Sequence, residues 1–348
     1  ILAKTVKGYG MGEAAEGKNI AHGVKKMDMT HVQHLRDRLG LQELVSDEDM
    51  KALPYLKLEE GSAEYEYMHA RRNALHGYTP KRLPKFSEAL VIPEVEEFKP
   101  LLDEQKRDIS TTMAFVRTLN ILLKNKGIGK NIVPIIADEA RTFGMEGLFR
   151  QIGIYCPHGQ NYTPEDRSVV SYYKEATSGQ VLQEGINELG AMSSWVAAAT
   201  SYSTNDLPMI PFYIYYSMFG FQRVGDMAWM AGDQQARGFL LGATAGRTTL
   251  NGEGLQHEDG HSHIQANTIP NCISYDPTFA YELAVIMQDG IRRMYGPEQE
   301  NVFYYLTLMN ENYAMPGMPE GAEEGIRKGI YKLESYAGAN KVQLMSSG

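Results

Sequence analysis

From residue 110 onward the apolar positions fall into two alternating patterns. Met113, Ala114, Phe115, Val116, Leu119, Leu122 and Leu123 form one face at helical spacing behind Ser110 and Thr111. A short continuous apolar run, Ile132-Val133-Pro134-Ile135-Ile136-Ala137, follows. The first pattern predicts a helix with one buried stripe, and the second a strand covered on both faces. The pair recurs, with helices expected over 186–199, 221–236 and 277–295 and strands over 209–216, 239–243, 271–274 and 302–308. Such alternation predicts an α/β fold, a parallel sheet with helices on both faces. Ligands of such sheets bind outside the carboxyl ends of the strands. Here those ends are Asp138-Glu139, the segment after Tyr216 and the glycine-rich run 246–260.

Upstream the texture differs. Residues 1–6 read as a buried strand that runs into Gly8, Gly10 and Gly12, a polar, exposed, flexible loop. Residues 28–105 are charged and helical in pattern. Thr30 is placed to cap a helix ending at Leu39, Ser46 with Asp49 makes a capping box, and Pro93 precedes a helix over 94–105. Pro80, Pro84 and Pro93 make 75–93 an extended linker. At the other end, 319–336 reads as an amphipathic helix and the last dozen residues as the opening of a strand. No period of about 20 to 50 residues repeats, which sets solenoids and propellers aside.

Composition narrows the function classes. The 348 residues are 43% hydrophobic, enough for a large core, and 34 basic against 43 acidic residues give a net charge of −9. With no basic stripe, neither nucleic acid nor an anionic membrane surface is an expected partner. No apolar run reaches the roughly 18 residues that span a bilayer. Cys156 and Cys272 make no disulfide framework, which fits a reducing, cytoplasmic compartment. Without an initial methionine or a signal-like segment, the chain reads as one entered partway through.

The densest polar constellation lies at 251–263. It contains His257-Glu258-x-x-His261, the pattern of a zinc peptidase, but that pattern needs a helix, and Gly252, Gly254 and Gly260 oppose one. A glycine-rich loop presenting imidazoles into a cleft is the better account. Glu184 and Glu188 lie four apart at a helix opening and would share a face, with Ile186, Leu189, Met192, Trp195 and Val196 as core. A glutamate buried among the small residues there would be strongly perturbed. Tyr216 and Phe219 fall beyond a strand end, where rings can stack on a flat ligand. Gly232-Asp233 lacks the glycine that a magnesium-diphosphate motif needs, since Gln234 follows, and no metal ligand is expected in the chain.

These segments, with the run from Ile135 to Phe149 and that from Gly252 to His263, resemble the homodimeric bacterial pyruvate dehydrogenases of the transketolase superfamily. These are the thiamine-diphosphate-dependent decarboxylating components of the pyruvate dehydrogenase complex. The resemblance covers the whole chain but only the middle of the family's proteins. It implies residues 1–27 as the end of the diphosphate-binding domain with a mobile active-site loop, and 28–109 as a helical and extended linker. Residues 110–309 would be the pyrimidine-binding domain and 310–348 a linker onward. The resemblance implies decarboxylation of pyruvate on thiamine diphosphate, then reductive acetylation of the lipoyl domain of the dihydrolipoyl acetyltransferase, with Mg2+ held outside this chain. It gives Glu188 the hydrogen bond to a pyrimidine nitrogen, with its pKa raised; Phe219 the stacking face, with Tyr216 and Arg223 nearby; and His257 a place facing the substrate. His22 would assist acetyl transfer from the mobile loop, Glu16 and Lys25 would order that loop, and Asp138 and Glu139 would connect catalytic glutamates across the homodimer. Glu139 fits equally a structural pair with Arg141. A transketolase or phosphoketolase should place phosphate-binding arginines at the cleft. A second alternative is a non-catalytic dimerisation and pyrimidine-binding piece.

Overall fold

The computed structural model describes residues 2–75, 77–78, 82–137, 140–165, 173–246, 254–338 and 342–347. The chain divides into two compact units, Ile1–Thr79 and Pro80–Gly348.

In the first unit no described residue is in a strand. Residues 2–6 are irregular and Leu2 is fully exposed, so the strand expected there does not form. With no strand among the described residues of this unit, it has no ladder to join. The glycine loop is folded rather than loose: Gly8, Gly10 and Gly12 take φ of +71°, +89° and +54° and Gly10 is buried. Gly17 N–H closes the turn on Lys7 O at 2.9 Å. Helix α1 spans Met29–Arg38 and is capped by Asp28, whose Oδ1 accepts from His31 N–H at 2.9 Å, not by Thr30. The Ser46–Asp49 box forms its reciprocal bonds but opens only a 3-10 turn over Asp49–Lys51. Helix α2, Ala63–Ala74, is capped by Ser62.

In the second unit the helix expected over 94–105 is a 3-10 turn at Val95–Phe98 followed by α3, Lys99–Leu102. Pro100 has no N–H to give to the preceding turn, so the two pieces cannot merge. Helix α4 (Thr111–Lys124) is capped by Ser110, and β1 (Ile132–Ile136) follows. Then come α5 (Gly147–Gln151) and three two-residue strands, β2 (Ile154–Tyr155), β3 (Glu175–Ala176) and β4 (Leu182–Gln183). The remainder is α6 (Glu188–Asn205), β5 (Ile210–Tyr216), α7 (Gly220–Asp233), β6 (Phe239–Ala243), α8 (Ser262–Ala266), β7 (Cys272–Tyr275), α9 (Ala280–Tyr295), β8 (Phe303–Thr307) and α10 (Glu323–Arg327). Helix α10 is far shorter than the expected 319–336; Gly329, at φ +82°, closes it, and residues 337–338 and 342–347 form no strand.

The main sheet has the order β4-β1-β5-β6-β8-β7 and every pair in it is parallel. Its strands send alternate side chains to two cores. Phe212, Ile214, Phe239, Leu241, Tyr304 and Leu306 meet Phe115 and Leu119 of α4 and Val285 and Met287 of α9. Tyr213, Tyr215, Leu240, Phe303 and Tyr305 meet Met192 and Trp195 of α6 and Val224 and Ala228 of α7. Continuous apolar runs were required because both faces are covered.

The segment after residue 81 has no helix or strand through 94, yet it is not a solvated linker. Leu83 N–H bonds Ser203 O at 2.8 Å, Leu90 N–H bonds Tyr295 O at 3.0 Å, and Phe86 exchanges two 3.0 Å bonds with the Gln299 amide. Arg237, 1% exposed, reaches Pro84 O (3.0 Å), Gln299 O (3.0 Å), Gln299 Oε1 and Met294 O (3.2 Å each). Its guanidinium lies 4.0 Å from the Tyr202 ring centroid.

Candidate active site

The strand order turns back at β1, which has β4 on one side and β5 on the other, and the crevice at such a reversal is where open parallel sheets bind ligands. Asp138 and Glu139, which follow β1, lie outside the described residues, as does the 247–253 part of the glycine-rich run.

Glu184 and Glu188 do not share a helix. Gly185 takes φ +76° and breaks the chain direction, leaving Glu184 after β4, where its Oε1 accepts from Ser194 Oγ at 2.6 Å. Glu188 is the first residue of α6, behind an Asn187 cap that accepts from Gly190 N–H at 3.0 Å. Met192, Trp195 and Val196 are buried as expected, but Ile186 and Leu189 are 72% and 54% exposed. Glu188 is not wrapped in apolar residues: its side chain is 16% exposed and Oε1 lies 2.5 Å from Arg223 Nη1.

The other side of the crevice is the turn between β5 and α7. A Cβ on Gly220 would meet the Tyr215 ring at 2.0 Å, so glycine lets the chain turn tightly from Ser217 to Phe219. The turn presents Phe219, over whose ring the Arg223 guanidinium lies at 4.4 Å. His257 stands edge-on to both Phe219 (5.1 Å between centroids) and Tyr216 (4.9 Å), and Phe143 packs on Tyr216 at 5.3 Å. The structure thus brings Glu188, Arg223, Phe219, His257 and Tyr216 together in one chain of contacts.

His257 ends a 3-10 turn, and α8 begins only at Ser262, so His257 and His261 share no helix. Among the described residues no three histidine, cysteine or acidic side chains are grouped to hold a metal. Beside them lie residues that sequence reading did not single out. Asp259 is buried; it accepts from Ser217 Oγ and, through Oδ1, from the N–H groups of His261 and Ser262, both at 3.1 Å. Burial pushes its carboxyl up, but the hydrogen bonds from Ser217, Ser262 and His261 outweigh that and hold it below the ordinary aspartate range. The stabilisation this gives is present above the ordinary aspartate value and lost as pH falls through the folded one. His263 bonds Thr307 Oγ1 at 2.9 Å, and burial lowers its pKa against the opposing pull of Asp276 and Asp259.

The residues expected on the mobile loop lie in the first unit. His22 is exposed on a 3-10 turn over Asn19–Gly23, and Lys25 is exposed just beyond it. Glu16 is tied down: Arg38 Nη1 lies 2.5 Å from Oε2, Gly10 N–H bonds the same oxygen at 3.1 Å, and Arg38 also covers the Tyr9 ring at 5.2 Å. Arg38 hydrogen bonding lowers the Glu16 pKa. Glu16→Ala is expected to speed amide exchange across residues 7–17 while leaving α2 unchanged; equal protection in both proteins would mean the pair does not order the loop.

An aminopyrimidine would need a flat apolar face and a carboxylate beside its ring nitrogens. The Arg223 guanidinium, planar and rich in N–H groups, lies on Phe219 and bonds Glu188, so the slot accepts a group of that shape and polarity. A thiamine pyrimidine therefore fits these residues.

The family model described as the pyruvate dehydrogenase E1 component middle domain matches residues 100–316. The pyruvate dehydrogenase E1 component of Escherichia coli (strain K12) is 70% identical over 100% of this chain, and those of Haemophilus influenzae and Pseudomonas aeruginosa are 66% and 60% identical. The chain spans 39% of the length of each. A transketolase from Campylobacter jejuni, at 16% identity and a TM-score of 0.54, covers 90% of this chain with 42% of its own and shares the fold. A family match over more than half of its residues, on a parallel sheet that reverses at β1, places the chain in the pyruvate dehydrogenase E1 component family, whose middle domain it carries at 100–316.

Proposed function

We propose that the complete protein decarboxylates pyruvate on thiamine diphosphate and passes the acetyl group to the lipoyl domain of the dihydrolipoyl acetyltransferase, with this chain holding the pyrimidine end of the cofactor. The observation that carries the reading is Glu188 at the first turn of α6, paired at 2.5 Å with a guanidinium stacked on Phe219. When bound, thiamine diphosphate supplies an electron sink for the carbon that loses carbon dioxide. Phe219 gives the ring a stacking face and Tyr216 walls the crevice. Glu188 holds a proton between its carboxyl oxygen and a ring nitrogen, and Arg223, half exposed, yields the Phe219 face to the ring and stays nearby. His257, braced between two aromatic rings, offers an N–H to an oxygen of pyruvate. His22, exposed on its turn, delivers a proton during transfer to the lipoyl group, while Glu16 and Lys25 order the loop around it. Asp138 and Glu139 link the glutamates of the two halves of a homodimer. Exposed Ile186 and Leu189 beside Glu188 support a partner subunit covering this edge. Magnesium and the diphosphate bind residues beyond this chain, and the enzyme works in the bacterial cytoplasm.

The test is pyruvate-dependent reduction of an artificial electron acceptor by the complete protein with thiamine diphosphate and Mg2+, together with acetylation of a lipoyl domain. Turnover of sugar phosphates without pyruvate turnover would transfer the reading to a transketolase. His22→Ala should leave the artificial-acceptor rate within about twofold and cut lipoyl acetylation by about tenfold or more. Equal losses in the two assays would remove His22 from the transfer step.

A further inference from the structure

The loop bearing His257 is anchored by a buried charge that the reaction itself does not call on. The Asp259 carboxylate receives Ser217 Oγ from the end of β5 and the N–H groups of His261 and Ser262 from the start of α8. Its own N–H bonds Gly246 O, beyond β6, at 3.1 Å. Ser217 Oγ lies 3.2 Å from Tyr305 OH on β8, and Gly242 leaves room for both, since a Cβ there would meet Tyr305 OH at 2.5 Å and Ser217 Oγ at 2.8 Å. The side chain thus ties the loop to the turn after β5, and the backbone N–H of the same residue ties it to the segment after β6. Ser217 sits between Tyr216 and Phe219, the two rings that hold the His257 imidazole edge-on. A buried carboxylate with several donors is geometrically rigid, because each bond lost leaves a desolvated charge less satisfied.

We infer that Asp259 is a positioning residue for His257, locking its loop onto the Ser217 turn so that the imidazole meets the 2-oxo acid at a fixed angle. The inference rests on the reading in which His257 faces pyruvate. The cofactor contact made by Glu188, on α6, does not pass through Asp259, so the loss of Asp259 should act on the substrate far more than on thiamine diphosphate.

The experiment uses the complete protein and compares His257→Ala, Asp259→Ala, Asp259→Asn and the double alanine variant, with kcat/KM for pyruvate and thiamine diphosphate affinity as readouts. Asp259→Ala should lower kcat/KM by about tenfold, and the double variant should fall within about twofold of His257→Ala, because two residues acting through one group are not additive. Thiamine diphosphate affinity should stay within about threefold in all four. Asparagine keeps the oxygen that accepts from His261 and Ser262, so Asp259→Asn should recover most of the loss; it also decides the matter if the alanine variant fails to fold. Losses that multiply in the double variant, an asparagine variant as poor as alanine, or cofactor affinity falling together with kcat/KM would overturn the inference. A silent His257→Ala would instead overturn the reading of the substrate site, and this inference with it.

Discussion

Glu188→Ala in the complete protein should reduce pyruvate decarboxylation at saturating thiamine diphosphate by at least about a hundredfold, the scale of a lost proton-transfer group. The fold should survive. Glu188 is at the first turn of α6 with its side chain partly exposed, and the core of that helix is Met192, Trp195 and Val196 further along. Removing the carboxylate also frees Arg223, which is half exposed and can turn to water. Far-ultraviolet circular dichroism and melting temperature should therefore be nearly unchanged while turnover collapses. Activity retained above about a hundredth of normal would take the proton away from this residue.

The second large effect concerns stability. Arg237→Met should lower the melting temperature of the complete protein by roughly 5–10 °C, from about 3 kcal/mol of lost stabilisation. Methionine matches much of the side-chain length but leaves Pro84 O, Met294 O and the Gln299 backbone oxygen without the guanidinium that now serves them, and Gln299 Oε1 with the Phe86 N–H alone. Unpaired buried acceptors are costly where water cannot reach. The segment after residue 81 should loosen first, seen as faster proteolysis there. A melting temperature within about 1 °C of the parent would show that the strap is held by Phe86 and the Gln299 amide alone.

Why some of this could be read from the amino-acid order and some could not follows from the range of the interactions. The strand expected over 239–243 forms at Phe239–Ala243, and those over 209–216, 271–274 and 302–308 lie within a residue of their observed ends. Their signal is local, an apolar run required by cover on both faces. Strands β2, β3 and β4 are two residues each and leave no pattern. Glu184 was misplaced because helical spacing says nothing of the backbone at Gly185, where φ +76° ends any such helix. Arg237 carries no local mark of burial, since its partners lie at Pro84, Met294 and Gln299. Asp259 did have one: an aspartate with Ser262 three residues on commonly folds its carboxylate back on the following N–H groups.

The position of β8 has a consequence for biosynthesis. Among the described residues this strand is the last of eight in chain order, yet it lies inside the sheet between β6 and β7. Until Phe303–Thr307 has been made, β6 presents a bare edge and β7 has no neighbour at all. A nascent chain halted between Tyr275 and Phe303 therefore exposes hydrogen-bonding backbone with apolar side chains on both faces, the form most prone to pairing with a stranger. Chaperone engagement during translation should peak in that window and fall once the final strand slots home.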